Sequence, residues 1–422
     1  MGLLAISPLL VFIFLYLVTS IIAGDFYKVP ITVAFMVSSI YAIVVSGGKP
    51  LQQRINIFSK GASDEKIMLM IWIFILAGAF ANSAKVMGSI DATVALTLNI
   101  LPSNMLLAAI FFAACFVSFS IGTSVGTIVA LTPLAAGMSE STGISPELLT
   151  AIVVSGSLFG DNLSLISDTT IVATSTQGCK LKDKFKVNLY LAFPAAIIIL
   201  FIYLFMGSGI TPINNIPETD YIKILPYIIV LIAAISGVNV VVVLTIGIAL
   251  TGMIGLVGGS FNVYGWFSAM GDGIIGMGEL IIVTMLAGGM LEIIKDNGGI
   301  NYIIDKLTHR IHTKRSAELS IATLVSFTNI CTANNTVAII TVGGIAKQIS
   351  ERFGVDSRRS ASILDTMSCC IQGIIPYGAQ ILIASGLSMV NPISIIPYLW
   401  YPLCLGAFTL IAIMLRYPRK YS

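Results

Sequence analysis

Two stretches of this chain, about 210 residues apart, read almost alike, and in both the polar residues fall in the middle of apolar sequence. Residues 75–90 are ILAGAFANSAKVMGSI and residues 285–300 are MLAGGMLEIIKDNGGI. TSVGT at 123–127 is answered by TANNT at 332–336, and GDNLS at 160–164 falls opposite IQGII at 371–375. A duplicated apolar chain, broken at matching polar tips, has few folds open to it. The pattern is that of a membrane transporter built from two like halves, with its binding place where the interrupted segments meet.

Composition decides the solvent. Only 10% of the 422 residues are charged and 56% are hydrophobic, whereas a soluble domain carries about 25% charged residues. Apolar runs near 20 residues recur along the whole length, so the expected fold class is an all-α, multi-span membrane protein surrounded by lipid. The short alternating segments of a β-barrel are absent. The net charge of +3 is small and sits in loops, where it argues orientation and gives no reason to expect nucleic acid. Six cysteines, at 115, 179, 331, 369, 370 and 404, show no CxxC and no metal spacing, and read as small packing residues. The first 23 residues lack a basic start and an A-x-A site, so they read as a first span and not as a cleaved signal.

Ten spans are expected, at 5–23, 28–47, 67–84, 148–175, 188–207, 223–237, 239–257, 278–294, 360–385 and 395–415. The apolar segments 104–138 and 317–347 differ, because each breaks near its middle, at 120–126 and 328–335. Their arms, about 15 and 12 residues, reach about 22 and 18 Å, short of a hydrocarbon core of about 30 Å. A re-entrant hairpin fits both lengths, with its irregular tip satisfied by protein or by a water-filled cavity. The expected architecture is thus about ten transmembrane helices plus two re-entrant hairpins, arranged as repeats 1–211 and 212–422 of inverted topology.

Loop charge agrees. With both termini in the cytoplasm, the inner loops 48–66, 177–187, 295–316 and 347–359 and the tail carry the lysines and arginines, Lys180, Lys182, Lys184 and Lys186 among them. The outer loops 139–147, 208–222, 258–277 and 386–394 have no Lys or Arg. Segments 85–103 and 295–316 read as interfacial and amphipathic, with His309 and His312 on the second as surface residues. Asn82 and Glu292 read as matching solvated helix ends.

The chemistry concentrates in residues 155–170. Asp161 and Asp168 lie in apolar sequence, where a carboxylate costs roughly 2.5–3.5 kcal/mol even on the gentler scales. No Lys or Arg lies between 86 and 179 to neutralise them. With Asn162, Ser164 and Thr169 they form an oxygen-rich set suited to a hard cation such as Na+, with Asp161 and Asp168 as its candidate ligands. A buried carboxylate holds its proton more tightly, so one group can alternate between proton and metal ion. A spacing of seven puts both acids on one helix face, if the helix is unbroken. Thr123, Ser124 and Thr127 of the first tip and Asn334, Asn335 and Thr336 of the second add oxygens and helix ends. Gln372 stands opposite Asp161 in the repeat, and Asp365 is either a third acid or the partner of Arg358 or Arg359.

No Walker A sequence, HExxH or G-x-S-x-G appears, so neither ATP-driven transport nor an enzyme is indicated, and no cofactor is expected. SIGTSVGT at 120–127 followed by GDNLSLISDTT at 160–170 resembles the NhaC-type Na+/H+ antiporter family, and the likeness runs from the third span to the last. The resemblance implies a scaffold and a transport domain, two inverted repeats, an often dimeric assembly and an elevator-like slide. It implies a Na+- or H+-coupled transporter, read first as a Na+/H+ antiporter of the bacterial inner membrane. It leaves open Na+- or H+-coupled transport of an organic acid or amino acid, since the family includes such members. A passive channel would need polar residues along full spans; here they cluster at mid-depth.

Overall fold

Helix breakers set the boundaries of this chain more sharply than hydropathy does. A computed structural model describes all residues except 1, 24–29, 101, 165–166, 209, 211–219, 309–310, 312 and 422. His309, His312 and the expected repeat boundary at 211–212 lie outside the described residues. The first half runs α1 (Gly2–Ala23), α2 (Ile31–Val45), α3 (Leu51–Ala62), α4 (Glu65–Met87), α5 (Ser89–Ile100), α6 (Leu106–Ile121), α7 (Ser124–Thr142), α8 (Pro146–Leu163), α9 (Asp168–Gln177) and α10 (Leu181–Gly207). The second runs α11 (Tyr221–Ile235), α12 (Val240–Val257), α13 (Val263–Gly276), α14 (Gly278–Asp296), α15 (Gly299–Thr308), α16 (Lys314–Thr332), α17 (Asn335–Phe353), α18 (Ser357–Gln372), α19 (Ala379–Ser388), α20 (Pro392–Ile395) and α21 (Trp400–Leu415). Among the described residues there is no strand, so the all-helical membrane class expected from composition holds.

Among the described residues, six helical segments are long and apolar enough to cross a membrane, or seven if the pair 379–388 and 392–398, bent by 102°, is one span. Ten had been expected. Four expected spans emerge as shorter apolar helices, at 2–16, 31–45, 221–233 and 400–415. Two more are broken. The expected span 148–175 divides into α8 and α9, whose flanking caps are Ser164 and Ser167. The span 360–385 divides into α18 and α19 around residues 373–378. Conversely, the expected loops 48–66 and 258–277 contain helices α3 and α13.

The two interrupted segments break in the same way. Gly122 ends α6 with φ 77° and Thr123 opens α7 in extended conformation. Ala333 ends α16 with φ 49° and Asn334 opens α17, also extended. The left-handed turn is free of strain for glycine and costs an alanine about 1–2 kcal/mol, so the second tip keeps its shape against local preference. In each segment the two arms contact one another, and both lie against the next helix, α8 or α18. The arms are 16 to 19 residues long, longer than hydropathy suggested, because the breaks occupy only two residues.

Helix starts recur at a constant offset. α7, α8 and α9 begin at 124, 146 and 168; α17, α18 and α19 begin at 335, 357 and 379, always 211 later. Contacts swap between halves: α3 meets α14 while α13 meets α4, and α7 meets α19 while α17 meets α9. Gly78 of α4 abuts Gly273 of α13, and Gly288 of α14 abuts Gly61 of α3, each at a spacing that a Cβ would break. The buried core is mostly one apolar cluster. A smaller one, including Ile321, Val325, Ile339 and Leu364, joins α16, α17 and α18.

Candidate functional site

Four helices begin around one cavity of about 320 Å3: α7 at Ser124, α9 at Asp168, α17 at Asn335 and α19 at Ala379. Each brings first-turn N–H groups that have no partner within the helix. Asp161, from the last turn of α8, faces this convergence. Its Oδ1 accepts the backbone N–H of Ser124 at 3.0 Å, so a carboxylate sits at the positive end of α7.

A chain of hydrogen bonds continues from there to the second half. Gln380 donates to Ser124 Oγ at 3.0 Å and accepts from Gln372 Nε2 at 2.8 Å. Gln372 Nε2 also donates to Ala333 O at 3.1 Å. The first tip, the broken helix α18/α19 and the second tip are thereby tied together beside Asp161. Gln372 Oε1 is buried and has no hydrogen-bond partner among the described residues, which leaves an oxygen acceptor on a residue of the cavity wall.

Of the residues singled out in the sequence, Asp161, Asp168, Thr169, Thr123, Ser124, Asn334, Asn335, Thr336 and Gln372 line the cavity, and its described lining has no Lys or Arg. Asn162, Ser164, Thr127 and Asp365 do not line it. Thr127 turns its hydroxyl to Thr123 O at 3.1 Å within its own helix. Asn162 donates to Leu158 O at 2.8 Å. Asp161 is 5% exposed, whereas Asp168 is exposed, and the break between them removes the shared helix face expected from their spacing. Asp168 instead opens α9. Asn82 is not merely a solvated end either, since it donates to Ala269 O of α13 at 2.8 Å.

The largest surprise is Lys184. Placed in an inner loop by its neighbours Lys180, Lys182 and Lys186, it is fully buried on α10 and pairs with Asp365 at 2.6 Å. That corrects the reading of Asp365 as a partner of Arg358 or Arg359: Arg358 pairs with Asp356 and Arg359 with Glu318. The sequence held a signal. From Leu181 onward, Lys184, Asn188, Leu191, Ala195 and Ile199 recur at helical spacing on the buried face, while Lys182 and Lys186 point outward. Gln380 and Ser167 also line the cavity. Gln380 was missed because the break after Gln372 was read as continuous helix.

Charge bookkeeping then isolates one group. The buried charged side chains among the described residues are Asp161, Lys184, Glu318, Arg359 and Asp365. Lys184 pairs with Asp365 and Arg359 with Glu318. Among the described residues, Asp161 has no ion-pair partner. A carboxylate so placed needs a proton or a cation to be neutral.

The sequence model of the Na+/H+ antiporter family matches residues 1–208 and 210–418. The Na(+)/H(+) antiporter NhaC of Alkalihalophilus pseudofirmus is 22% identical, over 78% of this chain and 78% of that protein. The Na(+)/H(+) antiporter NhaC of Bacillus subtilis is 23% identical, over 84% of each. The malate-2H(+)/Na(+)-lactate antiporter of Bacillus subtilis is 21% identical, over 92% of this chain and 89% of that protein.

Proposed function

The chain belongs to the Na+/H+ antiporter family, and from that premise we propose that Asp161 is the group at which Na+ and H+ exchange. It is a multi-pass membrane antiporter of Na+ and H+, not an enzyme. The observation that carries the assignment is the buried carboxylate of Asp161, without an ion-pair partner among the described residues, at the cavity where both tips meet. One carboxylate without an ion pair accepts one positive charge at a time. Na+ binding therefore expels the proton, and protonation expels Na+, which is the requirement for exchange. Gln372 Oε1, Asp168 and the hydroxyl and amide oxygens of the tips complete an oxygen set for Na+.

The halves are inverted repeats in this reading, with both tips re-entrant. Support comes from the constant offset of helix starts, the swapped contacts and the loop charge. The same charge pattern favours a bacterial inner membrane with both termini in the cytoplasm. The decisive experiment uses proteoliposomes. An imposed Na+ gradient, with no organic solute present, should move protons, and Asp161→Asn should reduce that flux to background. Proton flux that persists in Asp161→Asn, or that never appears in the native protein, would remove the proposal.

A second reading is cation-coupled transport of a small organic acid. Four helix N-termini at one cavity favour an anionic group once a cation has neutralised Asp161, and one relative is named for malate and lactate. Proton movement appearing only after such an acid is added would bring this reading forward.

A further inference from the structure

We propose that Lys184 is a positioning residue that holds the broken helix α8/α9 in register and thereby sets the cation preference of the cavity; this rests on Asp161 as the exchanging group. The ammonium spans the break. It donates to Asn162 O at 3.0 Å on the α8 side and to Thr170 Oγ1 at 2.6 Å on the α9 side. Its third contact is Asp365 Oδ2 on α18, at 2.6 Å. Asn188, one turn further along α10, repeats the pattern, donating to Asn162 O and to Asp365 Oδ2, both at 2.8 Å.

These contacts act where α8 is weakest. The last carbonyls of a helix have no partner within it. Here Asn162 O is taken by Lys184 and Asn188, and Asp161 O accepts from Thr169 and Thr170 Oγ1, each at 3.3 Å. Thr170, held by Lys184, in turn holds the backbone of Asp161. The orientation of that backbone aims the carboxylate into the cavity. The other end of the device is Asp365, which lies on the same helix as Gln372, the last residue of α18. Pinning Asp365 to the α8/α9 break fixes α18, and with it the separation between Asp161 and the unpartnered Gln372 Oε1. Cation selectivity in an oxygen site depends on that separation and on its rigidity. The ammonium itself stays out of the cavity lining, so its action is geometric.

The test removes both charges together, because a lone buried Asp365 would destabilise the protein for reasons unrelated to transport. Lys184→Met with Asp365→Asn should yield a folded protein by size-exclusion and thermal unfolding in detergent. Its half-saturating Na+ concentration for proton release in proteoliposomes should rise about tenfold and its Li+/Na+ ratio should change, with maximal turnover within a few-fold of native. A folded double variant with native half-saturation and native Li+/Na+ ratio overturns the proposal. If that protein does not fold, Thr170→Val keeps the ion pair and removes two contacts across the break, the one from Lys184 and the one to Asp161 O. It should move the same two readouts in the same direction, and no movement again overturns the proposal. Asp161→Asn is measured alongside. Activity in that variant removes the exchange-site reading and this inference with it; an inactive Asp161→Asn beside a native-like double variant removes this inference alone.

Discussion

At the residue scale, the site turns on which acids are already neutralised. Asp161 and Asp365 look alike in the sequence, as acids in apolar surroundings. One has an ammonium at 2.6 Å and the other a backbone N–H at 3.0 Å. Among the described residues, only the second lacks an ion-pair partner. In the proposed exchange, protonated Asp161 does not serve as a Na+ ligand, so Na+ and H+ compete. Raising the pH removes the proton, and apparent Na+ affinity should therefore rise with pH until the carboxylate is ionised, by up to about tenfold per pH unit in the competitive range. Calorimetric Na+ titrations at several pH values measure this directly. Affinity that stays flat across those titrations is incompatible with exchange at a single carboxylate. The candidate residues of both tips were legible because polar residues at a matched offset in apolar sequence have few structural uses. Lys184 is harder to pick out, because three exposed lysines surround it and only its helical spacing with the apolar face of α10 separates it from them.

At the element scale, what matters is how closely broken and interrupted helices approach. Ser118 Oγ donates to Ser157 O between α6 and α8, and Asn329 Nδ2 donates to Ser368 O between α16 and α18 at 2.7 Å. Each pair sits at the same place in its half, 211 residues apart. The first crossing depends on Gly156 and Gly160, where a Cβ would run into Ala114 and into the backbone of Ser118. Small residues four apart let two helices meet at backbone distance. Gly160→Ala should therefore separate α8 from α6 and lower stability by about 1–3 kcal/mol. It should also weaken transport, since Asp161 is the next residue. A thermal-unfolding midpoint in detergent measures the first effect, and an unchanged midpoint would show that the crossing tolerates a methyl group. Element boundaries were less legible than element types. Hydropathy runs straight through the end of α8 at Leu163 and the end of α18 at Gln372, where the backbone leaves the helix.

At the scale of the whole molecule, the repeat predicts sidedness. If the halves are inverted, corresponding positions face opposite sides of the membrane. Glu140 and Glu351, 211 residues apart, are exposed at the ends of α7 and α17. In intact cells, Glu140→Cys should react with a membrane-impermeant maleimide from outside, and Glu351→Cys only after permeabilisation. The parent protein, with its own cysteines, supplies the background. Labelling of both positions from one face would mean that the tips are crossings and not hairpins.

The sequence alone determined that this is a helical membrane protein, and it pointed to an internal duplication and to polar candidates at residues 123–127, 160–170 and 332–336. Those readings follow from local quantities: hydropathy, self-similarity, and the cost of polar groups in apolar surroundings. The tertiary structure decided which of these polar groups are spent. Asp365 and Lys184 lie far apart along the chain, yet they neutralise each other at the break in α8/α9. Gln380, unremarked in the sequence, joins Gln372 to Ser124. Pairing depends on three-dimensional distance, and one-dimensional spacing carries that only within a single unbroken helix. In this chain the helices that matter are broken, so which carboxylate remains free was decided by the fold.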